Sequence, residues 1–381
     1  MKKIISFLKS ELMLVVSVIA AIISLFITPP TKELVKNIDW HTLGTLFMML
    51  TVLEGFKTEN IFRPLIRLGG KIRSQVLLSA FLIFSVFFTS MFVTNDVSLI
   101  IFVPLTILLF RGGGKEHYIL PVISMENIAA IRGSMLMPFG SPQNLFLYSQ
   151  SGQPVTKFVL HMLPLSAFSA VLLVCFILFL YRKNLKEQTV LTAEKLTKEW
   201  LPEGKVRRIG YLILFVIIVW TIVSRTKYWP IAVIVVALAV LILDRKILAK
   251  VDYILLLTFL CFFVFSSSIA ANESIAGFLS KAVAGQEYWW AIGLSQIISN
   301  VPASIVLYPF TDNLAALLYG ADTAGLCSLI GSLASVINYR IYVREYPGNG
   351  GKFIKVFTLI SWAFFIIVVI PGFLLSRYWH F

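Results

Sequence analysis

The sequence predicts an all-α polytopic membrane protein made of two inverted-topology repeats, each with a re-entrant hairpin and a broken helix. Three observations support this fold class. First, 58% of the 381 residues are hydrophobic and only 14% are charged, whereas a soluble domain is roughly half apolar and about a quarter charged. Second, apolar runs long enough to cross a bilayer recur along the chain. Third, pairs of residues recur in the same order in the two halves.

Nine apolar runs are long enough to cross a bilayer, which takes about 20 residues. They cover residues 11–28, 41–56, 117–150, 157–181, 208–224, 229–244, 253–272, 321–344 and 353–377. Two further apolar stretches, 76–110 and 287–319, are interrupted by Thr94-Asn95-Asp96 and by Ser299-Asn300. Each stretch is either two short crossings or one hairpin that enters and leaves on the same side.

The distribution of positive charge favours two hairpins. With that topology, 25 of the 33 Lys and Arg residues lie in loops on one side and 7 on the other, while Arg132 lies within the membrane. The positive-inside rule makes the richer side cytoplasmic. The N-terminus is therefore expected in the cytoplasm and the C-terminus outside, across a bacterial inner membrane. The net charge of +14 is expected to meet anionic lipid, and nucleic acid is not an expected partner.

An internal repeat divides the chain into residues 1–182, a cytoplasmic loop with a linking helix (183–227, helix 208–224), and residues 228–381. The hairpins are 76–110 and 287–319, and the broken helices are 117–150 and 321–344. The matching pairs are Asp39-Trp40 with Asp252-Tyr253, Asn95 with Asn300, Gly140-Ser141 with Gly331-Ser332, and Lys157-Phe158 with Lys352-Phe353. One linking crossing inverts the second copy, and inverted repeats with broken helices are typical of secondary transporters.

The two hairpin tips carry the first candidate site residues. Thr94 and Asn95 in one tip, and Ser299 and Asn300 in the other, can cap half-helices or coordinate ions and anions. Asp96 is an intramembrane carboxylate, and such residues mark ion or proton pathways. We interpret Asp96 as the ion-coupling residue. The alternatives are an Asp that caps a helix or pairs with an Arg, and a simple helix break at Ser299-Asn300.

The breaks in the two interrupted helices supply the remaining candidates. Gly and Pro break a helix at depth, and the polar side chains beside them can line a cavity. A half-helix N-terminus there presents free N–H groups to an anion. The predicted substrate-binding residues at the breaks are Gly140, Ser141, Gln143, Asn144 and Ser332.

Arg132 stands beside the first break in an apolar context. A guanidinium at that depth either binds an anionic substrate or neutralises Asp96 or Glu126 in a structural ion pair. Both interpretations stay open from the sequence. The first favours a small anion as the transported species.

Other classes of protein find little support in the residues. The four histidines, His41, His117, His161 and His380, are scattered and have no ligand partner at helical spacing, so neither an enzyme nor a certain metal site is expected. A Gly-rich phosphate loop with Lys is missing, so the sequence does not indicate an ATP-driven pump. No cofactor is expected apart from a coupling ion, H⁺ or Na⁺.

Three segments resemble the ion transporter superfamily, which includes citrate-transporter-like permeases, divalent anion:sodium symporters and arsenite permeases. The segments are MFVTNDVSLIIFVPL (91–105), GSMLMPFGSPQNLFLY (133–148) and SNVPA (299–303). The second is similar to the bacterial anion-permease branch. The resemblance implies opposed re-entrant hairpins in a transport domain, a scaffold that forms a homodimer, and an elevator-type movement.

The resemblance also implies that the two tips bind a small anionic substrate and help to form Na⁺ sites near Asn95 and Asn300. Neither tip has the Thr in third place that the sodium-coupled carboxylate transporters use, and the Asn-Asp and Asn-Val-Pro tips look more like arsenite permeases. We therefore predict a secondary transporter of a carboxylate or inorganic oxyanion, coupled to H⁺ or Na⁺. An arsenite or metalloid exporter and a Na⁺/H⁺ exchanger are the alternatives.

Overall fold

The chain is entirely helical over the residues that the computed structural model describes, 11–30, 32–184, 188 and 204–378. These residues form eighteen α-helices, and their only β-contact is an isolated bridge between Ser74 and Gln188. Six of the helices are long and apolar enough to cross a membrane. The prediction of an all-α polytopic membrane protein is thus confirmed at the level of helix content and hydropathy.

Nine helices precede residue 185. They are α1 (Leu12–Ile27), α2 (Lys32–Asn37), α3 (Trp40–Thr58), α4 (Arg63–Gly69), α5 (Gln75–Val93), α6 (Asn95–Gly112), α7 (Ile119–Ser134), α8 (Pro142–Ser151) and α9 (Val155–Leu180). A 3₁₀ turn, Glu116–Tyr118, precedes α7.

Nine more follow residue 203. They are α10 (Gly204–Ser224), α11 (Trp229–Asp244), α12 (Tyr253–Ala270), α13 (Glu273–Val283), α14 (Glu287–Ile298), α15 (Asn300–Leu307), α16 (Leu314–Ala324), α17 (Leu333–Glu345) and α18 (Gly350–Tyr378). Two 3₁₀ turns, Leu248–Lys250 and Tyr308–Phe310, lie between them.

The helices α3 and α12 begin in the same way. Asp39 caps α3 with its carboxylate accepting from the backbone N of Thr42, and Asp252 caps α12 by accepting from the backbone N of Leu255, each over 2.9 Å. The two caps have nearly identical dihedral angles, φ −77° and ψ 78° for Asp39 and φ −76° and ψ 78° for Asp252. An Asp at this position satisfies an N–H group that the first turn leaves without a helical partner.

Both interrupted stretches fold back as helical hairpins. In the first, α5 and α6 lie side by side, and Thr89 donates to the Ser98 hydroxyl across the turn over 3.0 Å. In the second, α14 packs against α15. The second hairpin is much shorter, and α16 already begins at Leu314, inside the range that the sequence assigns to the hairpin. Its returning arm ends at Leu307, and the 3₁₀ turn Tyr308–Phe310 follows it directly.

Two buried apolar clusters hold these elements in place. One joins the first hairpin to α7, α9, α17 and α18, and the other joins α3, α8, α10, α12, the second hairpin and α16. The contacts between the halves of the chain are reciprocal. α1 packs on α12 and α11 packs on α3, while α8 contacts α15 and α16 as α17 contacts α6 and α7.

A glycine sets the distance between the first hairpin and α7. A Cβ at Gly133 would lie 2.0 Å from the backbone oxygen of Phe87 and 2.5 Å from the Ser90 hydroxyl. Only a residue without a side chain allows α5 and α7 to approach so closely. This contact positions the hairpin tip beside the first break.

The structure describes only part of the predicted linker, residues 183–227. Its helix is α10, which begins at Gly204, a little before the expected residue 208. Residues 185–187 and 189–203 of the expected cytoplasmic loop lie outside the described residues.

Candidate functional site

The two hairpin tips share an unusual backbone conformation. A single residue turns each hairpin, with φ 71° and ψ 156° at Thr94 and φ 68° and ψ 159° at Ser299. Residues other than glycine rarely occupy this region, which costs about 1–3 kcal/mol and clusters at functional sites. The strained residue in each tip directly precedes the predicted ligand, Asn95 or Asn300.

The first tip lies against the first break. The rings of Phe92 and Phe139 are 6.3 Å apart, which joins the end of α5 to the segment between α7 and α8. Asn95 is buried, and its side-chain oxygen accepts from the backbone N of Asp96 over 2.9 Å. Asp96 is half-buried, and its Oδ1 is buried and accepts no hydrogen bond from the described residues. The ring contact therefore places the end of α5, directly before the tip, beside the break.

The second tip lies against the second break. The backbone N of Asn300 donates to the oxygen of Gly331 over 3.2 Å, and its side-chain nitrogen donates to the oxygen of Ala321 over 3.3 Å. Ser299 and Ser332 are both buried. Asn300 is thus bonded to both sides of the interruption between α16 and α17.

The breaks leave two helix N-termini without side-chain caps. Ser141 precedes α8 and Ser332 precedes α17, both in extended conformation, and neither side chain accepts from the turn that follows. The first N–H groups of a helix have no helical partner and attract anions. Gly140 permits the sharp turn before α8, because a Cβ there would lie 2.2 Å from the backbone oxygen of Ser134.

The two broken helices cross each other at a buried carboxylate, Asp322. Gln143 donates from Nε2 to Asp322 Oδ1 over 3.0 Å. The hydrogen-bonding pattern orients the Asn144 amide with its nitrogen towards Asp322, 3.0 Å from Oδ1 and 3.2 Å from Oδ2. Two predicted ligands therefore share one acidic partner from the other half of the chain.

Arg132 is fully buried beside this crossing. Its Nη1 donates to the backbone oxygen of Asp322 over 3.4 Å and to the Met135 sulfur over 3.6 Å. Its Nε and Nη2 are buried and find no hydrogen-bond partner among the residues described. Among the described residues it forms no ion pair with Asp96 or Glu126, the partners considered from the sequence. Two guanidinium donors are left for a bound group.

Sequence reasoning missed Asp322. A carboxylate inside an apolar segment drew attention to Asp96, and the same signal is present in the LAALLYGADTA sequence of α16. Asp322 stands nearly at the start of the predicted run 321–344, where a charged residue resembles an interfacial one. In the structure Asp322 lies in the last turn of α16 and is fully buried.

Hairpins, broken helices and a buried guanidinium within a multi-pass helical bundle define the class of membrane transporters that bind a solute between discontinuous helices. The sequence pattern of the citrate transporter family CitMHS matches residues 4–331. The chain belongs to this family.

Two relatives support the assignment. The inner membrane protein YbiR of Escherichia coli is 30% identical over 325 residues, which cover 84% of each chain. The uncharacterized transporter MJ0456 of Methanocaldococcus jannaschii is 30% identical over 340 residues, which cover 89% of each chain. The resemblance to citrate-transporter-like permeases is thus confirmed.

A solved structure shares the fold. The YdaH transporter of Alcanivorax borkumensis, described as having an unusual topology, aligns with a TM-score of 0.56 at 13% identity. The alignment covers 90% of this chain and 87% of that one.

Proposed function

We propose that this protein is a secondary active transporter that moves a small anion, a carboxylate or inorganic oxyanion, across the inner membrane. The observation that carries the proposal is Arg132, which is fully buried and has two guanidinium nitrogens that no described residue engages. A desolvated guanidinium strongly favours an anionic partner. The uncapped N-termini of α8 and α17 add N–H donors at the same breaks.

The substrate in this proposal lies between the tips and the breaks. Arg132 pairs with the negative charge of the substrate. Side-chain and backbone donors and acceptors around the substrate select for its shape. These groups belong to Thr94, Asn95, Gly140, Ser141, Gln143, Asn144, Ser299, Asn300 and Ser332. Asp322 positions the Gln143 and Asn144 amides, because its carboxylate accepts from both.

The proposed coupling residue is Asp96. It lies at the strained tip, and one of its carboxylate oxygens is buried without a partner. Such an oxygen can take up a proton or contribute to a Na⁺ site near Asn95 and Asn300. A carboxylate in the membrane interior is costly when ionised and alone. Binding of a proton or Na⁺ to Asp96 can therefore be linked to movement of the site.

The proposed transport cycle uses two inverted repeats in an elevator-type movement. The matching dihedral angles at Asp39 and Asp252 and at Thr94 and Ser299 support the repeat. The reciprocal packing of α1 on α12 and of α11 on α3 supports it as well. We further propose a homodimer, with the N-terminus in the cytoplasm and the C-terminus outside, on the family resemblance and the loop charges.

The proposal is tested by charge movement on a solid-supported membrane carrying proteoliposomes. Succinate, citrate, sulfate and arsenite are jumped in turn, with and without Na⁺, at two pH values. A saturable current for one anion that R132Q loses supports the proposal and names the substrate. A current with arsenite alone selects a metalloid exporter. A current on a Na⁺ or pH jump with every anion silent selects a Na⁺/H⁺ exchanger and overturns the anion site.

A further inference from the structure

A second buried polar cluster lies on α7, where α6 and α17 pack against it. All of its members are fully buried. They are Thr106, Glu126, Asn127, Ser335 and Asn338. Glu126 precedes Arg132 by six residues, which is about 9 Å along a helix. Glu126 and Asn338 therefore lie roughly two turns from the nearest break, whereas Ser335 belongs to the first turn of α17, directly after the second break.

Hydrogen bonds draw this cluster around one turn of α7. Thr106 donates from its hydroxyl to Glu126 Oε1. Asn127 donates from Nδ2 to the Ser335 hydroxyl over 3.0 Å, and Asn338 donates from Nδ2 to the backbone oxygen of Ile123 over 2.7 Å. Ile123 and Asn127 are one turn apart and lie on the same helix face. Both α6 and α17 thus contact the turn that carries Glu126.

Three acceptor oxygens in the cluster are left over. Glu126 Oε2, Asn127 Oδ1 and Asn338 Oδ1 are buried and have no hydrogen-bond partner within the part of the chain that the structure describes. The amide nitrogens of both asparagines and the hydroxyl of Thr106 are already engaged. Buried acceptors are normally satisfied, so an excess of oxygens in one cluster points to a ligand that accepts electron pairs.

Among the described residues, no basic side chain balances the charge of Glu126. No basic side chain of the described residues forms an ion pair with it. An isolated ionised carboxylate in an apolar interior is strongly unfavourable, so a proton or a cation must neutralise it. A proton would satisfy one oxygen at most, whereas a hard cation takes several oxygen ligands at once.

We propose that Glu126 Oε2, with the side-chain oxygens of Asn127 and Asn338, forms a Na⁺ site between α7 and α17. The ion would neutralise Glu126 and satisfy the two amide oxygens together. Because α7 and α17 come from different halves of the chain, the bound ion would also strengthen the crossing of the broken helices. This site rests on the proposed function only for its role as a coupling-ion site, not for Na⁺ binding itself.

The experiment measures equilibrium binding of ²²Na⁺ to the purified full chain in detergent. Choline chloride keeps the ionic strength constant, and the pH is held fixed. We expect E126Q to bind at least one Na⁺ fewer per chain than the wild type. The matched control is E287Q. Glu287 is also buried but lies at the start of α14, where it accepts from the backbone N of Gly285 over 3.0 Å. E287Q is expected to bind Na⁺ like the wild type.

A second variant, N338A, keeps the carboxylate and removes one amide oxygen. We expect its Na⁺ affinity to fall roughly tenfold or more, as is common when a group that supports a metal site is lost. Thermal unfolding without Na⁺ shows whether each variant is folded. Wild-type stoichiometry and affinity in both variants would overturn the site. Binding of no Na⁺ by the wild type would overturn it as well, and would leave a proton as the neutralising species.

The outcomes separate this inference from the proposed function. Na⁺ binding that depends on Glu126, together with no anion-driven current, would keep the site and discard the anion transporter. An anion-driven current lost in R132Q, together with Na⁺ binding unchanged in E126Q, would keep the transporter and discard the site.

Discussion

The side-chain nitrogen of Gln143 donates to the carboxylate of Asp322 over 3.0 Å and joins the second half of one broken helix to the first half of the other. The opposite pair of halves is joined in a similar way, by Asn127 and the Ser335 hydroxyl over 3.0 Å. Asp322 also accepts from Arg132 through its backbone oxygen. The carboxylate of Asp322 therefore organises the group of residues that we assign to anion binding.

The substitution D322N is expected to reduce anion-driven current at least tenfold. An asparagine offers only one acceptor oxygen and turns an NH₂ group towards the amide donors of Gln143 and Asn144, so their orientation is lost. The current on a solid-supported membrane measures the effect. D312N, which alters an exposed aspartate ten residues earlier in the chain, serves as the control. Equal currents in the wild type and D322N would exclude a positioning role for Asp322.

The substitutions R132K and R132Q are expected to weaken binding of the anion to different degrees. Lysine keeps the charge but lacks the planar fork of donors, so R132K should raise the half-saturating anion concentration by about tenfold. R132Q removes the charge and should leave no saturable current. The anion dependence of the current distinguishes them, with R377Q, an exposed arginine, as the control. Unchanged half-saturation in R132Q would place the anion elsewhere.

The substitution D96N is expected to abolish gradient-driven uptake and leave exchange of the anion measurable. Asparagine keeps the size of the side chain but cannot be charged, so the tip can still bind substrate without its coupling ion. Uptake driven by a Na⁺ or pH gradient is compared with counterflow in the same proteoliposomes. Preservation of both activities would remove Asp96 from the mechanism.

The substitutions T94G and S299G are expected to stabilise the fold by about 1 kcal/mol each and to lower transport. Glycine relieves the backbone strain of about 1–3 kcal/mol at positive φ and gives back about 0.5–1 kcal/mol in chain entropy. Denaturation of the purified protein measures stability. T94A keeps the strain and loses only the hydroxyl, so it separates the two effects. A loss of stability in both glycine variants would show that the tips are not strained.

The substitution G133A is expected to destabilise the protein by about 1–3 kcal/mol, the usual range for overpacking a tight contact. Its new methyl group would meet the backbone oxygen of Phe87 at 2.0 Å. G293A is the control, because a Cβ at this helical glycine in α14 meets nothing within 4 Å. G293A should be neutral or slightly stabilising. Equal unfolding midpoints for the two variants would contradict the close approach of α5 and α7.

Features that depend on residues close together in the chain could be predicted from the sequence. Hydropathy over about 20 residues determines whether a segment can enter a bilayer. Four of the nine predicted runs coincide with helices long and apolar enough to cross it, α9, α10, α12 and α18, and the stretch 76–110 supplies the other two, α5 and α6. The polar interruptions at Thr94-Asn95 and Ser299-Asn300 located the turns of both hairpins. Asp39 and Asp252 marked the starts of α3 and α12, since a cap acts within its own first turn.

Features that depend on contacts between distant residues could not be predicted from the sequence. The second hairpin could not be separated from α16, because residues 301–321 remain largely apolar on both sides of the break at 311–313. The role of Asp322 was missed, because its partner Gln143 is 179 residues away. The sequence left the partner of Arg132 open between an anionic substrate and an ion pair with Asp96 or Glu126, and the structure pairs it with neither carboxylate among the described residues.

The sequence by itself determined the membrane setting, the helical class, the two tips, the two breaks and the family resemblance. Each of these follows from composition or from residues close together in the chain. Only the tertiary structure decided that Gln143 and Asn144 face Asp322, that Arg132 keeps two free donors, and that Glu126 shares a cluster with Asn127 and Asn338. Those relationships depend on the crossing of helices from different halves of the chain, and the position of a crossing is set by packing between distant residues.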